Sequence, residues 1–321
     1  MTKESTIQPF AKGDILAGVT LLNNPDDDHA GDGRIIQYDS DLNEKGVLWL
    51  EGTTHLVGGL NFGPDGNLWA FDANAHVVLR ISPEGKQLPE IKFAERSFSN
   101  CNFAPDGTVI MGEHLLGDGS NFPEWMMGGD IAKLGTTLAK IPGEDVFGHG
   151  HIFRFTPEGE QIKEYNNEAH GGMMGFLGTT TASLAADGKT LLYSSETGPR
   201  VMKYDLEADQ QLDDYLTFTP QEGMVLVAKY QPDGTVLMLK AASRTDFVLQ
   251  HLTADAEVLK TYELPSAGWA IIEPSIEDNT ILIGNFFSGI VAKFNLDSGA
   301  ITAQTEVGVE RSLAGIAQFA G

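Results

Sequence analysis

Cysteine is almost missing: Cys101 is the only one in 321 residues, so no disulfide inside the chain braces the fold. Basic residues are scarce too, with Lys+Arg 21 against Asp+Glu 45 and a formal net charge of −24. That balance argues against nucleic acid or an anionic membrane as partner, since both are polyanions. No apolar run approaches the length of a membrane-spanning helix. The first residues, MTKESTIQPF, lack the apolar core of a signal peptide. The expectation is a cytoplasmic protein kept in solution by an acidic surface. Helical periodicity is rare as well, confined to a short helix near Asp130–Leu138 within an insertion over about 115–148.

Turn residues and short apolar runs fill the chain instead. Gly 37 and Pro 14 punctuate a sequence that is 41% hydrophobic. The stretch His55 to Gly85, HLVGGLNFGPDGNLWAFDANAHVVLRISPEG, shows the plan. Three runs rich in β-branched and aromatic residues are too short for helices, and Pro-Asp-Gly and Pro-Glu-Gly turns punctuate them. Proline presets φ in such a turn, and glycine supplies a positive φ.

The plan repeats. The apolar residue closing the third strand of each unit falls at Tyr38, Ile81, Phe155, Tyr204, Leu252 and Phe294, spaced by 43, 74, 49, 48 and 42 residues. One period of about 40 to 50, with one insertion, is the signature of a β-propeller. Six repeats predict an all-β, six-bladed β-propeller in a single domain, 1–321. The first-to-second-strand turns recur as PDG at 64–66, 105–107 and 232–234, as ADG at 186–188, and as the looser IEDN at 276–279. Blade one lacks an inner strand at its start, but LAGIAQF (313–319) matches LVGGLNF (56–62). The last strand should therefore complete the first blade and leave no open edge there. The acidic segment NNPDDDHAGDG (23–33) reads as a loop on the face that also carries the insertion.

At LNFGPDGNLWAFDANAHVVLRISPEG the chain resembles the gluconolactonase, senescence-marker and strictosidine-synthase-like propellers, with NHL-repeat character. GKTLLYSSETGPRVMKYDLEA (188–208) is similar to a blade of the strictosidine-synthase-like group, and the layout resembles diisopropyl-fluorophosphatase. The resemblance implies a hydrolase or lyase acting on a small molecule, with a metal held on the inner strands seven residues before the turn Asp. Here that position holds Gly315, Gly58, Ser99, Thr180, Leu226 and Ile271. A hard cation needs several oxygen ligands, usually with carboxylates among them. No cofactor is therefore expected at the usual family position.

Three residues further along, the row reads Asn61, Asn102, Ser183, Lys229, Pro274 and Gln318, which predicts a hydrated channel or a polar ligand. Lys229 in such a ring could act as base or imine-former. His29, His55, His76, His114, His149, His151 and His170 fall in loops or strand ends of one face, and only His251 sits elsewhere. Imidazole suits proton transfer near neutrality, which makes His114 and then His55 the candidate acid–base groups. Glu113 or Glu196 would orient His114. Asn100 and Thr180 would donate hydrogen bonds to a substrate oxygen, beside His170, Lys229 and an apolar wall at Trp269. Gly171–Thr181 reads as a lid, GGMMGFLGTTT. The end-of-strand polar residues Asp72, Glu196 and Asn285 also have a plain structural role open to them, holding the adjoining loops. Two rivals stand beside the metal-free enzyme: three histidines binding a transition metal, and a ligand-binding or scaffolding propeller without catalysis.

Overall fold

The computed structural model describes residues 3–24, 27–73, 75–93, 96–116, 150–168, 176–195, 198–219 and 222–321, without the side chains of 27–29, 115–116 and 176–177. The helix expected near Asp130–Leu138, most of the insertion, and Glu196, His149 and His170 lie outside those residues. The fold is all-β, a six-bladed β-propeller, and no helix occurs among the described residues.

Blade one takes β1 (Ile15–Asn24), β2 (Asp27–Tyr38) and β3 (Glu44–Trp49). Blade two takes β4 (Gly58–Phe62), β5 (Leu68–Asp72) and β6 (Val77–Ile81). Blade three has β7 (Phe98–Phe103), β8 (Val109–Leu116), β9 (Ile152–Phe155), β10 (Gln161–Tyr165) and the short β11 (Phe176–Gly178). Blade four has β12 (Thr181–Leu184), β13 (Thr190–Ser194), β14 (Arg200–Asp205), β15 (Gln210–Gln211) and β16 (Leu216–Thr217). Blade five runs β17 (Met224–Tyr230), β18 (Val236–Ala241), β19 (Phe247–Leu252) and β20 (Val258–Glu263). Blade six runs β21 (Trp269–Pro274), β22 (Thr280–Asn285), β23 (Ile290–Asn295) and β24 (Ala300–Glu306), and β25 (Leu313–Gln318) ends the chain.

The chain divides into two compact units. Unit 1 comprises Met1–Cys101 with Gly268–Gly321, and unit 2 comprises Asn102–Ala267. Within unit 1, β25 pairs antiparallel with β1, Ile15 opposite Gln318 and Gly18 opposite Gly315, so the last strand closes the first blade. One expectation fails here. Residues 27–33 are not a loop but the start of β2, in register with β1 from Asn24–Asp27 to Ile15–Tyr38. Asp and Gly are poor strand formers, yet the ladder partner β1 is long and buried at its base, and pairing carries the acidic segment into the sheet.

The six period-setting residues are all buried, from 0% exposure at Ile81, Phe155 and Leu252 to 2% at Tyr204 and Phe294. They stand at or next to the ends of β2, β6, β9, β14, β19 and β23, where each third strand turns. In the Pro-Asp-Gly turn, Gly66 has φ +76°, and Asn279 takes the matching place in blade six at φ +52°. Asparagine tolerates that left-handed conformation better than most residues, which explains the looser turn there.

Adjacent sheets bury their faces on one another. In unit 1, Leu16, Ile35, Val57, Leu60, Leu68 and Leu79 form one apolar cluster. Phe10, Phe62 and Phe319 meet at its margin with ring centroids 5.1 to 5.9 Å apart. In unit 2, Leu192, Val201, Val225, Val236, Met238 and Leu252 do the same. Each such side chain contributes about 1.5–3 kcal/mol by leaving water, which a lone antiparallel sheet could not collect on both faces.

Candidate functional site

Five blades place a polar residue at or near the start of the third strand. Asp72 pairs with Val77, Lys240 with Val248 and Asn285 with Ile290. Glu113 donates its N–H to His151 O, and Ser195 comes directly after β13. Four of the five hold backbone. Asp72 Oδ2 accepts from Thr54 N (2.7 Å) and His55 N (2.8 Å), and Oδ1 accepts from Ala75 N (3.0 Å). Glu113 Oε2 accepts from Gly150 N at 2.8 Å. Ser195 Oγ donates to Gly178 O at 2.6 Å, and Asn285 Oδ1 accepts from Ser288 N at 3.0 Å. Asp72, Glu113 and Asn285 are fully buried, and a buried main-chain group without a partner is costly. The structural role open to Asp72 and Asn285 in the sequence is the one these bonds describe.

His114 comes next to Glu113 on β8, and alternation along a strand sends the two side chains to opposite faces. Oε2 of Glu113 accepts from Gly150 N, so this carboxylate holds main chain of the adjoining segment. Across the sheet, His114 Nδ1 lies 3.0 Å from Thr180 Oγ1. Two residues picked separately from the sequence are thus brought together within unit 2, through β8 and the entry to β12. Thr180 is positioned from both sides. Its own N–H donates to Ser194 O at 3.0 Å, and Thr179 N donates to Glu113 O at 2.9 Å. Thr179 and Asn167 complete a buried polar cluster beneath the pair, with Asn167 Oδ1 accepting from Ile152 N at 2.7 Å.

The remaining candidates are scattered over both units. His55 is half-buried in unit 1, its backbone held by Asp72 and its carbonyl accepting from Thr20 Oγ1 at 2.8 Å. Asn100, also in unit 1, is buried and donates from Nδ2 to Ser99 Oγ at 3.1 Å. Trp269 is only 1% exposed, so it is a core residue of blade six and not an open apolar wall. Its indole N–H finds no acceptor among the described residues. His76 Nδ1 meets Ser97 Oγ at 3.2 Å, His151 pairs with Glu164 at 2.9 Å, and His251 meets Thr235 at 2.8 Å.

The polar inner-strand row does a different job from the one expected. Asn61 Nδ2 donates to Cys101 O, and Asn102 binds Leu184 N and Ala182 O. Ser183 Oγ accepts from Tyr230 N, and Gln318 Oε1 accepts from Ser275 Oγ and Ile276 N. Each ties one inner strand to the chain of an adjacent blade inside its own unit. Lys229 is half-buried on β17, opposite Leu237.

Four inner strands also slip register near the family's ligand row. The slips fall between Gly18 and Val19 on the ladder to β25, between Gly58 and Asn61, around Leu226 and around Ala270. A β-bulge re-aims side chains, so a row counted by fixed spacing drifts by one between blades. Neither register offers a carboxylate. Leu226 is buried, and the Thr180 hydroxyl faces His114. These residues do not fit a calcium ion. No cluster of three or more His, Cys, Asp or Glu suited to a metal occurs among the described residues.

No protein-family model matches this chain, and no curated protein matches it in sequence. Solved structures match its fold. A catalytically inactive virginiamycin B lyase from Staphylococcus aureus, with quinupristin, aligns at TM-score 0.54 and 13% identity over 99% of this chain and 96% of that one. A provisionally assigned gluconolactonase aligns at TM-score 0.56 and 15% identity, covering 89% and 90%. A chain of a nidogen/laminin complex aligns at TM-score 0.59 and 9% identity, covering 95% and 97%. At such identities the likeness is one of fold, and chemistry has to be argued from side chains.

Proposed function

We propose that the chain is a small-molecule enzyme of the lactonase-like propeller superfamily, working by hydrolase or lyase chemistry centred on His114 and Thr180. The carrying observation is the 3.0 Å contact between His114 Nδ1 and Thr180 Oγ1. Fold neighbours that include a lyase and a gluconolactonase support the two reaction classes. Both classes need one group that takes a proton and returns it to a leaving oxygen. In hydrolysis the proton comes from water; in elimination it comes from the carbon beside the leaving group. An imidazole performs both steps near neutrality. When Nδ1–H donates to Thr180, the lone pair sits on Nε2, which becomes the base. When Thr180 donates instead, Nδ1 is the acceptor and the hydroxyl oxygen gains nucleophilic character.

The test is a screen of lactones, esters and epoxides, and then His114→Ala on whichever substrate turns over. Loss of a general acid–base group typically costs about 10²–10⁴-fold in rate. Unchanged turnover in His114→Ala would remove the assignment. A second reading, a binding or scaffolding propeller, draws on the fold match to a nidogen/laminin complex. It would take over if the screen were empty and a stoichiometric partner came down from lysate.

A further inference from the structure

The chain reaches Thr180 along a short path that starts opposite His114 itself. Gly178, the last residue of β11, pairs with His114 on the ladder to β8, and β12 begins at Thr181. Gly178 has φ +86°, and a Cβ there would lie 2.5 Å from both Glu113 O and Gly150 Cα. The path therefore runs through a glycine pressed against main chain. A peptide group beside glycine turns with little steric resistance, yet this one is held at both ends. Its carbonyl, Gly178 O, accepts from Ser195 Oγ at 2.6 Å, and its N–H, on Thr179, donates to Glu113 O at 2.9 Å. One end is thus fixed by the main chain of β8, and the other by the hydroxyl of a serine only 1% exposed. Thr180, next along, makes the 3.0 Å contact with His114 Nδ1.

We propose that Ser195 is a positioning residue for the candidate site: its hydroxyl fixes the peptide between Gly178 and Thr179, and so sets where Thr180 Oγ1 meets the His114 ring. The inference rests on the reading of His114 and Thr180 as the chemical pair. Released from Ser195, the peptide gains room to turn about Gly178 and carries Thr180 with it. A small turn suffices, because a hydrogen bond at 3.0 Å is gone by about 3.6 Å. The consequence is chemical. The tautomer of an imidazole is set by the bond that one of its nitrogens makes. A ring no longer held by Thr180 exchanges between its two tautomers, and the nitrogen that serves as base is no longer fixed.

Full-length protein carrying isotope-labelled histidine would be followed by nitrogen NMR in alkaline buffer, where imidazole is neutral. The His114 ring signals are identified by their loss in His114→Ala. In the parent, Nδ1 and Nε2 should resonate well apart, as one tautomer dictates. In Ser195→Ala the two should move toward the common position of exchanging tautomers. On a substrate found by the screen, kcat should fall by about tenfold or more with KM little changed, since a misplacement of about 1 Å can cost about 10²-fold. Ser312→Ala is the control: Ser312 is buried in unit 1, and its Oγ donates to Val309 O at 2.7 Å, a bond of the same kind. It should leave the His114 signals at their parent positions. Ring signals unmoved in Ser195→Ala, or already at the exchanging position in the parent, would overturn the proposal. So would an equal shift in Ser312→Ala, which would report general loosening. Should Ser195→Ala fail to fold, Ser195→Cys, similar in size and a weak donor, is read in the same way. Turnover that survives His114→Ala removes the catalytic pair and leaves the clamp to be judged by the ring signals.

Discussion

Blades two and three start from the same turn and part company at one residue. Each has Pro-Asp-Gly, and seven residues after the turn Asp each buries a carboxylate, Asp72 or Glu113. Asp72 is short and gathers three N–H groups close to its own strand. Glu113 is one methylene longer and takes Gly150 N. The next residue differs more: it is Ala73 in blade two, and in blade three His114, in contact with Thr180. The carboxylate belongs to the frame, and the proposed chemistry sits one residue beyond it, on the other face of the strand.

The largest effect should come from Asp72→Ala, which orphans three backbone donors at once. A buried hydrogen bond to a charged group is worth ~1.5–3 kcal/mol, so a loss of about 4 kcal/mol or more is expected in chemical denaturation. A loss below about 1 kcal/mol would end the idea that this position frames the blade. Glu113→Ala should cost less, about 2 kcal/mol, with Glu113→Gln recovering part of it through the remaining amide oxygen. His114→Ala should fall within about 0.5–1 kcal/mol of the parent while losing turnover, the reverse of both carboxylate variants. If His114→Ala destabilised as much as Glu113→Ala, the division between frame and chemistry would collapse.

The frame was legible in the sequence because each of its parts repeats. Tyr38, Ile81 and their four counterparts report one buried position six times, and LAGIAQF announces its partner by likeness to LVGGLNF. The meeting of His114 with Thr180 was legible only as two separate candidates, since they stand 66 positions apart across an insertion. Three features were hidden for physical reasons. Pairing with β1 overrides the poor strand propensity of DDDHAGDG. Register slips at Leu226 and Ala270 shift any row counted by fixed spacing. The amides of Asn61, Asn102 and Gln318 satisfy main chain of neighbouring strands, and composition alone cannot tell such a tie from a wet channel.

The smallest effect sharpens the same lesson at the other end of the sheets, where equivalent tyrosines differ only in what their hydroxyls meet. Tyr204 donates to Asp209 Oδ1 at 2.9 Å, whereas the hydroxyl of Tyr38, 1% exposed, has no hydrogen-bond partner among the described residues. Tyr204→Phe should cost about 1 kcal/mol, the net worth of an ordinary hydrogen bond. Tyr38→Phe should lie within about 0.5 kcal/mol of the parent at pH 7, or stabilise slightly, because it removes a buried group with nothing to lose. Alkaline pH separates the two states further. Burial, helped by the charge of Glu44, pushes the Tyr38 phenol up to about 12, while an unfolded tyrosine ionises near 10. The unfolded chain therefore gives up its proton first as pH rises. The contribution is fully present below about pH 10 and is lost between about 10 and 12. Denaturation curves for the parent and Tyr38→Phe at pH 9 and pH 11 should diverge at the higher value, with the parent losing more. Parallel losses in both would mean that Tyr38 is not the group that titrates.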